Sequence, residues 1–175
     1  MEEMLLNIGG EDASAMLADL ERAGVQLNPY ALTYLTDKAF MPLKEMHALK
    51  IRICTVAELG LAQGASLMTV FAAAKSQGLA LCPAETAVYL RLAMRSQSPS
   101  RNRCLTGTHT VPDGAVTVAS EPLHAADDFP KGLYLRNVGG VLWLRGYTCT
   151  EEYLWSGDSR LAFMVPPTKC IRRNK

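Results

Sequence analysis

The absences in this sequence exclude whole classes of protein. Aromatic residues make up only 7% of the chain, with four phenylalanines, so aliphatic side chains must supply most of the core. Runs such as Val141 to Leu144 and Leu161 to Val165 fall far short of the roughly 20 apolar residues that a membrane helix needs. There is no excess of either charge: 18 basic residues face 17 acidic ones, a net +1, which gives no global attraction for nucleic acid or anionic lipid. H-E-x-x-H and C-x-x-C are both missing, and with them the usual zinc signatures. The P-loop, the G-x-G-x-x-G turn and the G-x-S-x-G elbow are missing too. Gly9-Gly10, Gly139-Gly140 and Ser156-Gly157-Asp158-Ser159 therefore read as turns rather than phosphate cradles or nucleophile mounts.

The five cysteines (Cys54, Cys82, Cys104, Cys149, Cys170) are odd in number and widely scattered, a pattern of reduced thiols rather than a disulfide framework. Met1-Glu2-Glu3-Met4 opens with acid where a secretory leader needs a basic region. The expectation is a cytoplasmic protein without membrane association, metal or cofactor.

At 175 residues a chain falls in the size range of one domain and buries about 70% of its unfolded surface. Apolar residues at 49% and charged residues at 20% are ordinary globular usage. The first half carries helical periodicity. Ala13, Met16, Leu17 and Leu20 form one stripe over about 11–23, closed by Gly24. Asn28-Pro29 reads as a cap with proline at the first helical position, opening a helix through Tyr34 and Leu35. Leu49, Ile51 and Ile53 alternate with polar residues as one early strand, and Thr55 with Glu58 has capping-box spacing. Leu67, Val70, Phe71 and Ala74 mark a further helix ending near Gly78, and Cys82-Pro83 opens another reaching about Met94. Gly24 to Pro29 lines up with Gly78 to Pro83, sharing glycine, leucine and proline at the same offsets. A true duplication and a shared local chemistry explain this equally well.

Residues 96–103 are polar and basic and read as a mobile loop. Beyond it the period becomes two: a strand at Ala115 to Ala119, a hairpin of Leu133 to Arg136 and Val141 to Arg145, and a last strand at Leu161 to Val165. A basic tail covers 168–175. The fold class expected is α+β in a single domain. A helical N-terminal half (1–95, with one early strand) packs on a small antiparallel β-sheet from the C-terminal half (104–167).

Three sites compete for a function. In the hairpin, alternation sends the leucines to one face and Tyr134, Arg136, Trp143 and Arg145 to the other. An aromatic–arginine surface suits a protein partner or small ligand, although an amphipathic strand covered by a neighbouring segment explains it more readily. Cys82 at a helix N-cap would have a lowered pKa, and with His124 and Asp127 it would make a thiol-dependent enzyme; a buried structural cysteine is the plainer alternative. His109 is the other turn-borne histidine, and Asp127-Asp128 the other acidic cluster. Finally, Arg91, Arg95, Arg101 and Arg103 with Lys169, Arg172, Arg173 and Lys175 could serve a nucleic-acid-binding accessory protein. Against this, the helix after Pro29, which would have to read the bases, lacks Arg, Lys, Gln or Asn for base edges.

Glu58-Leu59-Gly60-Leu61, Gly64-Ala65-Ser66-Leu67, Gly78-Leu79-Ala80-Leu81-Cys82-Pro83-Ala84-Glu85 and Trp155-Ser156-Gly157-Asp158-Ser159-Arg160-Leu161-Ala162-Phe163 carry a resemblance. In these stretches the chain resembles an uncharacterised bacterial protein family with no assigned function. The resemblance implies a bacterial accessory protein and assigns no residue a role.

Overall fold

Glycine, caps and alternation divide the chain as follows in a computed structural model that describes residues 2–100 and 112–167. Strand β1 (Glu2–Ile8) turns into helix α1 (Ala13–Arg22), followed by a two-residue strand β2 (Gln26–Leu27) and α2 (Pro29–Thr36). Strand β3 (His47–Thr55), a 3-10 turn (Ala57–Leu59), α3 (Leu67–Ser76) and α4 (Thr86–Ala93) come next. The rest supplies β4 (Val116–Val118), β5 (Gly132–Val138), β6 (Val141–Tyr147) and β7 (Arg160–Val165).

The strands form one seven-stranded mixed sheet in the order β1-β3-β7-β4-β5-β6-β2. This overturns the small antiparallel sheet expected from the C-terminal half. β1, β2 and β3 come from the first half, where strands alternate with helices, and β2 with β6 and β4 with β7 are parallel pairs. Helices also cover both faces. Met16 and Leu20 of α1, Tyr34 and Leu35 of α2, and Val88 and Leu90 of α4 pack on Leu6, Ile51, Val116, Leu135 and Leu144. Leu67, Val70, Phe71 and Ala74 of α3 pack on Leu161 and Phe163 on the opposite face. The physical reason for the missed strand is Leu5. Met4, Leu6 and Ile8 alternate properly, but Leu5 breaks the pattern by being apolar on the outer face, 79% exposed.

Local signals hold where hydrogen bonds enforce them. Asp12 accepts from the Ala15 amide at 2.8 Å to start α1. Thr55 and Glu58 exchange the two bonds of a capping box, at 2.8 and 3.1 Å. The matched segments also share conformation: Gly24 and Gly78 have φ of 71° and 79°, after which each chain runs into the sheet. Gln26–Leu27 pairs with Trp143–Leu144, and Ala80 bridges Met164. They then part company. α2 begins immediately after Asn28, whereas α4 begins only at Thr86, with Glu85 as its cap residue.

Asn28 does two jobs. Its Oδ1 accepts from the Ala31 amide at 2.9 Å, capping α2, and from the Gly146 amide at 2.8 Å. Its Nδ2 donates to the Gly146 carbonyl at 3.0 Å. The side-chain amide thus stands in for a strand residue on the outer edge of β6. Position 146 must be glycine, because a Cβ there would lie 2.6 Å from the Tyr30 carbonyl carbon.

Candidate functional site: the aromatic–arginine face of the hairpin

The β5–β6 hairpin turns at Gly139 and Gly140, whose φ values of 61° and 91° suit a two-residue turn between twisted strands. Its register sets Leu135 against Leu144 on the core face, and Tyr134 against Arg145 and Arg136 against Trp143 on the other. Leu133, Leu135 and Leu144 are buried in the larger core cluster. Sidedness is therefore as the alternation predicts.

On the outer face, Tyr134, Trp143 and Arg145 form one half-buried group. The Arg145 Nε donates to the Tyr134 hydroxyl at 2.9 Å, and its guanidinium carbon lies 5.1 Å from the centre of the Trp143 ring. A cation at that distance is attracted by the ring's negative face, by about 0.5–1 kcal/mol at a partly exposed site. The tyrosine bond and the tryptophan contact together fix a long side chain that would otherwise lose rotamer entropy on binding.

From Tyr134 a row of aromatic contacts runs inward to the core, reaching Trp155, which is 2% exposed. The Tyr134 and Tyr147 rings are 6.4 Å apart, Tyr147 and Trp155 5.4 Å, and Trp155 and Tyr153 5.7 Å. Burial raises the Tyr147 hydroxyl well above its ordinary pKa, so it stays neutral. Sequence reading missed this row because Tyr147 lies past the apparent end of the strand and Trp155 arrives through a loop. At the opposite end Arg136, expected to be partly open, is 1% exposed. Its Nε donates to the Ser100 hydroxyl at 3.1 Å, while the Ser100 amide bonds the Asn137 carbonyl at 2.8 Å. Residues 97 and 100, inside the segment expected to be mobile, are thus tied to the sheet; 101–103 lie outside the described residues.

The other candidates do not assemble. Cys82 is 4% exposed and lies before α4 rather than at its cap. Its thiol donates to the Ala162 carbonyl at 3.6 Å, and burial pushes its pKa up to about 12, the opposite of an activated nucleophile. The His124 Nε2 lies 2.9 Å from the Asp37 carboxylate, and its ring stands edge-on to Phe129 at 4.3 Å. Asp127 pairs with Lys131 at 3.5 Å. Among the described residues no hydrogen bond or ion pair joins Cys82, His124 and Asp127 to one another.

Arg91, counted with the basic surface, is fully buried and donates to the Gln97 side chain at 2.5 Å and to the Met94 carbonyl. Burial lowers its pKa to about 10. It staples the end of α4 and offers no charge to a polyanion. His109, Cys104, Cys170, Arg101, Arg103 and the tail from 168 lie outside the described residues. Among those described, no three His, Cys, Asp or Glu side chains cluster to hold a metal, and no helix is long and apolar enough to cross a membrane. A cavity of about 440 Å³ opens beside Met94, Gln97, Ser100, Gly114 and Arg160, and none of the predicted site residues lines it.

Comparison with known proteins finds no matching family model, no matching curated protein and no matching solved structure.

Proposed function

We propose that this protein is a non-catalytic binding module that engages a protein partner through the Tyr134/Trp143/Arg145 face of its hairpin. The observation that carries the reading is the convergence of the three side chains on a regular, rigid hairpin, with Arg145 bonded to Tyr134 and held over Trp143. Tryptophan, tyrosine and arginine are the residue types that dominate interface energies, and pre-ordering them lowers the cost of association. Tyr134, Trp143 and Arg145 are each half-buried, so each keeps part of its surface for a partner. Cys54, Cys82 and Cys149 are free thiols, in keeping with a reducing, cytoplasmic location. The resemblance to uncharacterised bacterial proteins belongs to the same reading and adds no site.

The test is quantitative affinity capture with the wild type, Trp143→Ala, Arg145→Ala and, as a surface control, Leu154→Ala. A partner specific to this face is retained by the wild type and by Leu154→Ala, and its affinity falls by at least about thirtyfold in the other two, as hot-spot truncation predicts. Equal recovery by all four folded proteins refutes the reading.

A further inference from the structure

The sheet treats its two edges differently. On the β6 side the edge is closed: β2 adds a short parallel strand, the Asn28 side chain pairs with Gly146, and α2 packs directly against that glycine. On the β1 side no strand lies beyond β1 among the described residues. Edge strands in monomeric proteins are usually blunted by proline, charged side chains (lysine above all), a bulge or shortness. β1 has no proline, lysine or bulge, and its only charges, Glu2 and Glu3, are held in ion pairs to Arg160, Lys50 and Arg52. Its seven residues pair with β3 without a break, from Glu2 with Ile53 to Ile8 with His47, and at their centre Leu5 is 79% exposed.

We propose that β1 is a self-association edge: a second copy of this chain pairs there, antiparallel and about a two-fold axis through Leu5. Two constraints select that register. Directly opposite residues must share a face, or the buried face of one sheet would continue as the exposed face of the next, so the axis must pass through a residue rather than between two. Among residues, only Leu5 uses the full strand. It sets Leu5 against its own copy, Met4 against Leu6, Glu3 against Asn7 and Glu2 against Ile8.

Charge agrees with this choice. No acid faces an acid in that register, and both glutamates are already neutralised within the chain. Glu3 is bonded by Lys50 and Arg52, each at 2.6 Å, and Glu2 by Arg160 at 2.9 Å. The pairing satisfies outward backbone groups and covers the one apolar side chain that the strand presents to water. An interface of seven paired residues a side is small beside the roughly 1,200–2,000 Å² of stable complexes, so the dimer dissociates on dilution. Because the hairpin lies at the far side of the sheet, the dimer would display its two aromatic–arginine faces near opposite ends. The self-association itself does not depend on the function proposed for that face.

Sedimentation equilibrium across a concentration series, with hydrogen exchange of the β1 amides, tests the proposal. The wild type should shift from monomer to dimer mass as concentration rises, with β1 amides gaining protection over the same range. Leu5→Lys sets two like charges face to face and should stay monomeric, as should Leu5→Glu; melting curves matching the wild type show that both are folded. Mixing the two variants should restore the dimer mass, since lysine then meets glutamate. A wild type that is monomeric throughout overturns the proposal and leaves the edge to a strand from another protein. A dimer that survives in both single variants overturns it in favour of another surface.

Discussion

Replacing Asn28 with alanine isolates the contribution of one side chain that serves a helix and a sheet at once. The Ala31 amide loses its acceptor, a cap worth about 1 kcal/mol. The Gly146 amide and carbonyl lose their partners in a buried strand, where each orphaned group costs about 1–3 kcal/mol. Water has little access, because Asn28 is 7% exposed and Gly146 is buried beneath Tyr30 and Ala31. The sum expected for Asn28→Ala is about 3–7 kcal/mol, several times the effect of an ordinary cap deletion. Asn28→Asp is the informative companion. It keeps both acceptor roles but turns an oxygen toward the Gly146 carbonyl where Nδ2 had donated, and should fall between wild type and alanine. Urea unfolding followed by circular dichroism measures both, with unchanged m-values confirming that the two-state comparison holds. A loss of about 1 kcal/mol or less for Asn28→Ala would refute the argument, showing that the side chain caps α2 and that the outer edge of β6 needs no surrogate strand.

Two further outcomes follow from the buried thiol and the surface carboxylates. Iodoacetamide labelling read site by site in the mass spectrometer should leave Cys82 untouched in the native protein at pH 8, since burial holds its pKa near 12, and should modify half-buried Cys149 first of the two. Rapid native labelling of Cys82 would contradict its packing. Asp37 is held below the usual carboxylate range, first by the Ala39 amide and then by His124, so the stability it contributes is present above its unfolded pKa and is lost as pH falls through the lowered folded value. Acid titrations of Asp37→Asn and wild type should therefore differ at neutral pH and converge at the acid end; a gap that persists after protonation would mean that the substitution acts through something other than charge.

Legibility in the sequence tracked whether a single local signal was decisive. Gly24, Asn28-Pro29 and the Thr55–Glu58 pair announced real boundaries, because caps and left-handed glycines act within a few residues. The leucines of 133–144 disclosed the two faces of the hairpin, and the cluster of Tyr134, Trp143 and Arg145 followed from alternation alone. Parity could assign a face but not its cover, so the burial of Arg136 under Ser100 stayed hidden. Cys82 misled for a related reason: Cys-Pro mimics Asn-Pro in sequence, yet α4 starts three residues after Pro83, and the thiol falls in the sheet's interior instead of at a helix end. Long-range order was the least readable level. Nothing near Gln26 says that its strand partner is Trp143, and nothing near Glu2 identifies an edge.

The position of β7 has a consequence for how the molecule assembles. This strand, Arg160–Val165, sits between β3 on one side and β4 on the other. A growing chain therefore makes two ribbons, β1 with β3 and β4 with β5, β6 and β2, which α4 packs against from one face but which no strand joins edge to edge until residues beyond 159 emerge. The final insertion resembles setting a keystone: late, dependent on distant partners, and slow in the way that non-local pairing makes folding slow. Until it occurs, the facing edges of β3 and β4 are unpaired templates, and this interval is when a nascent or truncated chain is most exposed to aggregation.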